Sequence, residues 1–294
     1  MKNLTLYKPN NVLVKDFIKT YTDVDMSLLL ENYRFVQCTS TEKQRLGFSP
    51  NIIDGEYFSE VSGFLMMTVT KQVKRPNKHL VADTLKLKEA AYLEMNEDKQ
   101  EVPNSIYKDL KQQVELEVLA ATYPDEPKSF TVLIEKATGL MYVEGKGKAA
   151  EDILGLIRKA VGTLPVVPYE PELSVADMMD AWVVNEESSE IILGDKVVLT
   201  NRDEVKVTFA KEAIYESEAA DFIENKGHFV ESIQFEYDGV VSATLAEDFT
   251  LAGISYGDNL FEASDLDKVG EFIISINEIR KVVNYLIGKL SEEK

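Results

Sequence analysis

Three stretches of this sequence carry residue types that can do chemistry. Lys71, Lys74, Arg75 and Lys78 form the one dense basic cluster, with Pro76 in its middle and Lys86 and Lys88 beyond it. Cations at a strand end and helix start can follow a nucleic-acid backbone, meeting phosphates without reading bases. A lysine-rich turn kept for solubility uses the same residues. The run Gly145-Lys146-Gly147-Lys148 precedes an expected helix, whose first backbone amides could hold an anion. It has neither the glycine spacing nor the Lys-Ser/Thr ending of a Walker A loop, so a tight strand-to-helix turn explains it as well. Asp125, Glu126 and Lys128 are the residue types of a metal-dependent nuclease, where carboxylates hold one or two ions and a lysine lies near the attacking water. Among 51 acidic residues, no spacing fixes that site.

Other chemistries lack their residues. The two histidines, His79 and His228, lie in no HExxH pattern, and Cys38 has no cysteine partner, so no zinc site is expected. No EF-hand spacing occurs among the acids. No nucleophile–base pair stands out. The expectation is a non-catalytic protein without a cofactor.

Composition bounds the rest. A chain of 294 residues with 45% hydrophobic residues can bury a large core in more than one lobe. A single cysteine suits a reducing compartment. No apolar run approaches the ~20 residues of a membrane span, and MKNLTLYKPN lacks a signal-peptide core, so a cytoplasmic protein with no membrane partner is expected. The 32 Lys and Arg stand against 51 Asp and Glu, a net charge of −19. That balance opposes phosphate binding at a distance, whereas the field at a concave surface depends on which residues line it.

The elements that must position these residues follow from periodicity. Leu4 and Leu6, then Val12 to Val14, suggest a strand pair around Pro9-Asn10-Asn11. Met26 to Leu30 reads as a short helix capped by Asp25. Phe35 to Cys38 reads as strand, Leu46 to Gly55 as loop and Phe64 to Val73 as a buried strand. Helices are predicted from about Asn77 to Met95 and from Asn104 or Ser105, as cap, to about Thr122, with Ile106, Leu110, Val114 and Val118 on one side. A hairpin covers 130–143, and a helix covers Ala149 to Val161 with Gly162 as its C-terminal cap. Pro165 to Pro171 is the expected linker. Leu173 to Trp182 is helical, capped by Ser174, with Trp182 in the core. Ile191 to Phe209 suggests three strands, Ser217 to Asn225 a helix, and Asp238-Gly239 a hairpin turn between Val230–Tyr237 and Val240–Ala246. Residues 256–268 read as an acidic loop. From Leu266 to Leu290, Val269, Phe272, Ile276, Ile279, Val283, Leu286 and Leu290 form an apolar seam. Ile273 and Ile287 widen it, which suits packing on its own domain better than a coiled-coil dimer. The fold class is α/β in the α+β sense, with mixed, largely antiparallel sheets, divided as 1–168 and 169–294.

One segment carries a resemblance. The order of Thr138-Gly139-Leu140, an apolar strand, a lysine-rich turn and AAEDILGLIRKAVGTLPVVP resembles the central segment of the RdgC family of bacterial recombination-associated DNA-binding proteins. Lys2, Asn3, Leu4 and Tyr7 are similar to that family's opening strand. Leu46, Gly47, Phe48 and Pro50 are similar to its GW-P turn. Phe222, Ile223, Glu224 and Lys226 match a helix end, and FIISINEIRKVVNYLIGKL its last helix. The resemblance implies a multi-lobed subunit, two copies of which close a ring around duplex DNA with little sequence preference and limit recombinase access. It implies DNA contacts at Lys71, Lys74, Arg75, Lys78, Lys211 and Lys226, and dimer contacts near Phe48 and Tyr123. Tyr123 falls near a family phenylalanine. The chain departs from the family pattern at Ala210 and Glu212, which flank Lys211, and in a less basic 96–104. A nucleoid location is expected. Two further readings use the same scaffold: an acidic DNA mimic acting on a recombinase or other DNA-binding partner, and a metal-dependent exonuclease.

Overall fold

The computed structural model describes residues 1–185, 190–257, 259–262 and 266–291. In chain order the elements are β1 (Asn3–Pro9), α1 (Val14–Thr22), α2 (Met26–Glu31), β2 (Gln44–Ser49), β3 (Phe58–Val61), β4 (Phe64–Val73), α3 (Lys78–Glu94), α4 (Asn104–Ala121), β5 (Lys128–Glu135), β6 (Met141–Glu144), α5 (Lys148–Val161), β7 (Val166–Pro168), α6 (Val175–Asn185), β8 (Ile191–Thr200), β9 (Lys206–Ala210), α7 (Ala219–Lys226), β10 (Phe229–Tyr237), β11 (Val241–Ala246), β12 (Leu251–Tyr256), α8 (Asn259–Glu262) and α9 (Lys268–Lys289). A short 3-10 turn, Ile214–Glu216, precedes α7. The class is α+β with a twelve-stranded antiparallel sheet, as the hairpin-rich pattern predicts. No helix among the described residues is long and apolar enough to cross a membrane.

Two compact units form. The first takes Met1–Leu30, Pro50–Thr68 and Phe130–Lys294, and the second Glu31–Ser49 and Val69–Ser129. The expected boundary at 168–169 lies inside the first unit.

In the first unit the strands run β4-β5-β6-β1-β12-β11-β10-β8-β9, with β3 on β4 and β7 on β1. The β10–β11 hairpin turns at Asp238 (φ 52°) and Gly239 (φ 66°), the positive pair that matches strand twist. Ile276, Ile279, Val282, Val283 and Leu286 of α9 are buried in the same core as Trp182, Phe235 and Leu245. Val282 widens the stripe beyond a two-position seam, so the helix packs on its own domain. The Leu28 amide donates to Asp25 at 3.0 Å and the Asp177 amide to Ser174 at 3.1 Å, the two caps expected. Gly162 ends α5 at φ 88°.

In the second unit β2 lies beside the Val69–Val73 part of β4. Helices α3 and α4 pack through Leu85, Val114 and Val118, with Val81 and Leu110 against them. The side chain of Asn77 caps α3 by accepting from the amides of His79 and Leu80.

Several local expectations are corrected. Val12–Val14 is no strand: β1 takes its partners from β6, β7 and β12 instead, and α1 begins at Val14. Residues 46–49 of the expected loop belong to β2, and Phe35–Cys38 is not a regular strand. Its order comes from main-chain bonds: Phe35 donates to the Phe48 carbonyl at 2.7 Å and Phe48 to that of Tyr33 at 2.9 Å. The linker 165–171 contains β7, whose Val166–Pro168 pair with Pro9–Tyr7; a proline at a strand end loses no ladder bond it needs. Residues 191–209 form two strands, not three. Register shifts in the β10–β8 pairing let β8 continue through Gly194-Asp195-Lys196. Helix α4 follows Pro103 with no side-chain cap from Asn104 or Ser105. The expected acidic loop contains α8, while 258 and 263–265 lie outside the described residues.

Candidate nucleic-acid interface

The second unit carries Lys71, Lys74, Arg75 and Lys78, and the structure separates their roles. Strand alternation turns Thr70, Gln72 and Lys74 inward, each under 10% exposed. The Lys74 ammonium donates to the carbonyls of Ser40 and Leu119, both at 3.3 Å. It therefore does not face solvent, where a phosphate would lie. Lys71 is half-buried. Arg75 is exposed and meets Asp125 at 3.1 Å. Lys78 is exposed at the first position of α3, with His79 beside it. That helix end carries no acidic residue in its first turn, so Lys78 stands at the positive end of its dipole. Lys88 is taken up by Glu117 at 2.6 Å.

Lys43, absent from the expected set, joins this surface. With Lys78 it lines a groove of about 420 Å³, whose other residues are Pro76, Val81, Gln112, Glu115, Leu116 and Leu119. It is separated in sequence from the 71–78 cluster, and no local pattern links them; only the packing of the 38–43 segment against the end of β4 brings it there.

In the first unit, Lys211 and Lys226 are exposed on elements that touch. Phe209 of β9 meets Phe222 of α7 edge-on at 5.6 Å. Lys211 follows β9 with a positive φ of 69°, its amide bonded to the Asp195 carbonyl at 2.9 Å. Glu212 beside it is also exposed. The Lys226 ammonium lies 3.7 Å from the centre of the Phe222 ring and 2.7 Å from Asp221. Hydrogen bonds from Lys226 and then Asn225 hold the Asp221 carboxyl below its usual range.

The aromatic pair differs sharply. Phe48 is fully buried at 0% exposure inside β2, so it offers no surface on the single chain. Tyr123, just past α4, is 91% exposed.

The other candidates are also located. Gly147, at φ 52°, makes the turn into α5 without a side-chain cap. The concavity that Lys146 and Gly147 border also carries Glu231, Glu247 and Asp248, whose charges oppose an anion. The His228 Nδ1–H donates to the Lys226 carbonyl at 3.1 Å, and the ring packs on Phe222. Among the described residues no group of three His, Cys, Asp or Glu side chains is arranged to hold a metal ion.

Comparison with known proteins covers the whole of this architecture. Recombination-associated protein RdgC of Actinobacillus pleuropneumoniae serotype 3 (strain JL03) is 27% identical over 243 residues, 80% of this chain and 78% of that one. That of Proteus mirabilis (strain HI4320) is 25% identical, covering 99% of this chain and 98% of its own length. That of Mannheimia succiniciproducens is 22% identical, covering 100% and 98%. A family model described as "Putative exonuclease, RdgC" matches residues 1–293, and on that match the chain belongs to the RdgC family.

Proposed function

We propose that this chain acts in recombination as a non-catalytic protein that binds duplex DNA through exposed cations, as a homodimer closed around the duplex and with little regard to sequence. The observation that carries this reading is the start of α3. Lys78 and His79 occupy a first turn without an acidic residue, beside exposed Arg75 and Lys43. A cation such as Lys78 at that end costs a helix about 0.3–1 kcal/mol. A phosphate placed there removes the penalty, although the His79 and Leu80 amides are already held by Asn77. A local rule broken at a surface is expected where a ligand restores it. Exposed Tyr123 supports the homodimer, and a nucleoid location in the cytoplasm follows from the binding.

The test is binding of a labelled duplex of mixed sequence at several salt concentrations. Each phosphate neutralised contributes roughly −0.9 to the slope of log affinity against log salt. A steep slope, equal for unrelated sequences, is the expected result. No binding at low salt overturns the reading and favours an acidic DNA mimic, which the net charge of −19 would suit.

The description attached to the family model supports a second reading, an exonuclease. Asp125, Glu126 and Lys128 are the residues that reading would use, and Asp125 is held by Arg75. Release of labelled nucleotides that needs Mg²⁺ or Mn²⁺ and is lost in Asp125→Ala would establish it in place of the first.

A further inference from the structure

At the end of β4 and just past it, the alternate residues Thr70, Gln72 and Lys74 are polar and buried, and each ties a different neighbour. The Thr70 hydroxyl meets those of Ser49 at 2.7 Å and Ser129 at 3.1 Å. Gln72 accepts from the Cys38 amide at 2.9 Å and donates to the Asp125 carbonyl at 3.1 Å. Lys74 is the last of the row, at 4% exposure, with its ammonium on the carbonyls of Ser40 and Leu119. Its amide donates to the Lys43 carbonyl at 2.8 Å.

A buried ammonium is tolerated where carbonyls satisfy it. Leu119 lies in the last turn of α4, where the helix dipole is negative and a cation is favoured. Ser40 and Lys43 belong to the segment leading into β2. One side chain therefore fastens three pieces of chain: the end of β4, the end of α4 and the 38–43 segment. The groove lined by Lys43, Lys78 and Leu119 takes walls from the 38–43 segment and the end of α4, and Pro76, two residues past Lys74, lines it too.

We infer that Lys74 is a positioning residue for the DNA-binding surface: it meets no phosphate but fixes the 38–43 segment and the end of α4 so that Lys43, Arg75 and Lys78 are presented together. This rests on the DNA-binding reading above.

The experiment compares wild type, Lys74→Met and Lys74→Arg in two measurements. The first is amide hydrogen exchange of residues 38–43, with β10 and β11 as an internal reference. The second is duplex binding across a salt series. Positioning predicts exchange of 38–43 faster by about tenfold or more in Lys74→Met, with the reference strands unchanged. It predicts an affinity several-fold lower at every salt concentration, an unchanged salt slope, and recovery of both in Lys74→Arg. A slope lower by about one unit with unaltered exchange would mean that Lys74 contacts phosphate directly, and overturns the inference. Unaltered exchange and unaltered affinity overturn it too. If Lys74→Met does not fold, Lys74→Gln, which keeps a donor without the charge, decides between the same two slopes. Absence of DNA binding by wild type refutes the functional reading and the positioning role with it, while the exchange measurement still decides whether Lys74 anchors the segment.

Discussion

The guanidinium of Arg280 lies over the ring of Phe64, 4.0 Å from its centre. From α9 it reaches the Glu135 carboxylate at 3.2 Å and the Ser62 carbonyl in the β3–β4 turn. Glu135 is only 7% exposed and also accepts from the Thr138 hydroxyl at 2.6 Å. Burial, and then the Glu135 charge, push the neighbouring Tyr142 hydroxyl's ionisation upward. One arginine thus joins the last helix to β4 and β5 inside the first unit. Arg280→Met should lower stability by about 3 kcal/mol, because it strands a buried carboxylate. Glu135→Gln in the same chain should recover part of that loss. Urea unfolding of the two single variants and the double variant measures the coupling.

Gly47→Ala should destabilise the second unit by about 1–3 kcal/mol. A Cβ at this position would stand 2.4 Å from the Phe35 nitrogen and Cα, and backbone cannot move aside as a side-chain tip can. Faster amide exchange at Phe35 and Phe48, whose mutual bond depends on this approach, is the direct readout.

Arg75→Ala and Lys78→Ala should each weaken duplex binding and reduce the salt slope by about one unit, equally for all sequences. Lys211→Glu should weaken it more, since it places a second acid beside Glu212. Lys226→Ala removes one cation and frees Asp221 from its partner, so its loss should exceed that of Lys78→Ala. Lys159→Ala, in the last turn of α5, should leave binding nearly unchanged. Filter binding or anisotropy at four or more salt concentrations separates these cases.

Tyr123→Ala should shift the chain toward monomer in sedimentation without altering its unfolding midpoint, because the ring is solvent-exposed. Phe48→Ala should do the opposite, costing about 3–5 kcal/mol of stability through a core cavity. A monomeric wild type at tens of micromolar, an order-of-magnitude choice, contradicts the first expectation.

Asp180 gives a pH dependence. Burial, reinforced by Asp177, raises its carboxyl to about 6, although it accepts the Val230 amide at 2.7 Å. The unfolded value is about 4. The folded chain therefore holds this proton more tightly, and the resulting stability is present below about pH 4 and lost as pH rises through about 6. Asp180→Asn keeps an acceptor for Val230 without the charge. Its urea midpoint should exceed that of wild type at pH 7 and converge on it as pH falls toward about 4. A constant difference across that range would show that Asp180 does not titrate there.

Much of the fold is legible where one physical signal dominates. The stripe of α9, the Asp238-Gly239 turn, the Asn77 start of α3 and the Gly162 end of α5 all follow from local periodicity or backbone chemistry. The failures share a cause: order imposed from a distance. Val166 to Pro168 read as linker because two prolines flank two valines, and only β1 makes them a strand. Phe48 read as a loop residue because no sequence rule announces that Gly47 lets Phe35 cross it. The basic cluster is visible in sequence, but its division is not. Lys74 and Arg75 are adjacent letters, and the alternation of β4, carried just past its end, sends one inward and the other to solvent.

The placement of β1 has a consequence for how the chain is made. Leu4 pairs with Glu144 on one side and Leu251 on the other. At ribosomal rates of about 5–20 residues per second, on the order of 10–50 s separate the synthesis of Leu4 from that of Leu251. For that interval β1 has at least one unpaired edge, and both until β6 is made, and the core that Leu4 and Leu6 enter lacks α9. The second unit, by contrast, has all its residues once Ser129 has emerged. Completion of the first unit is therefore a late, long-range closure, the slow kind of step in folding. During that wait β1 is the strand most in need of protection from pairing with another nascent chain.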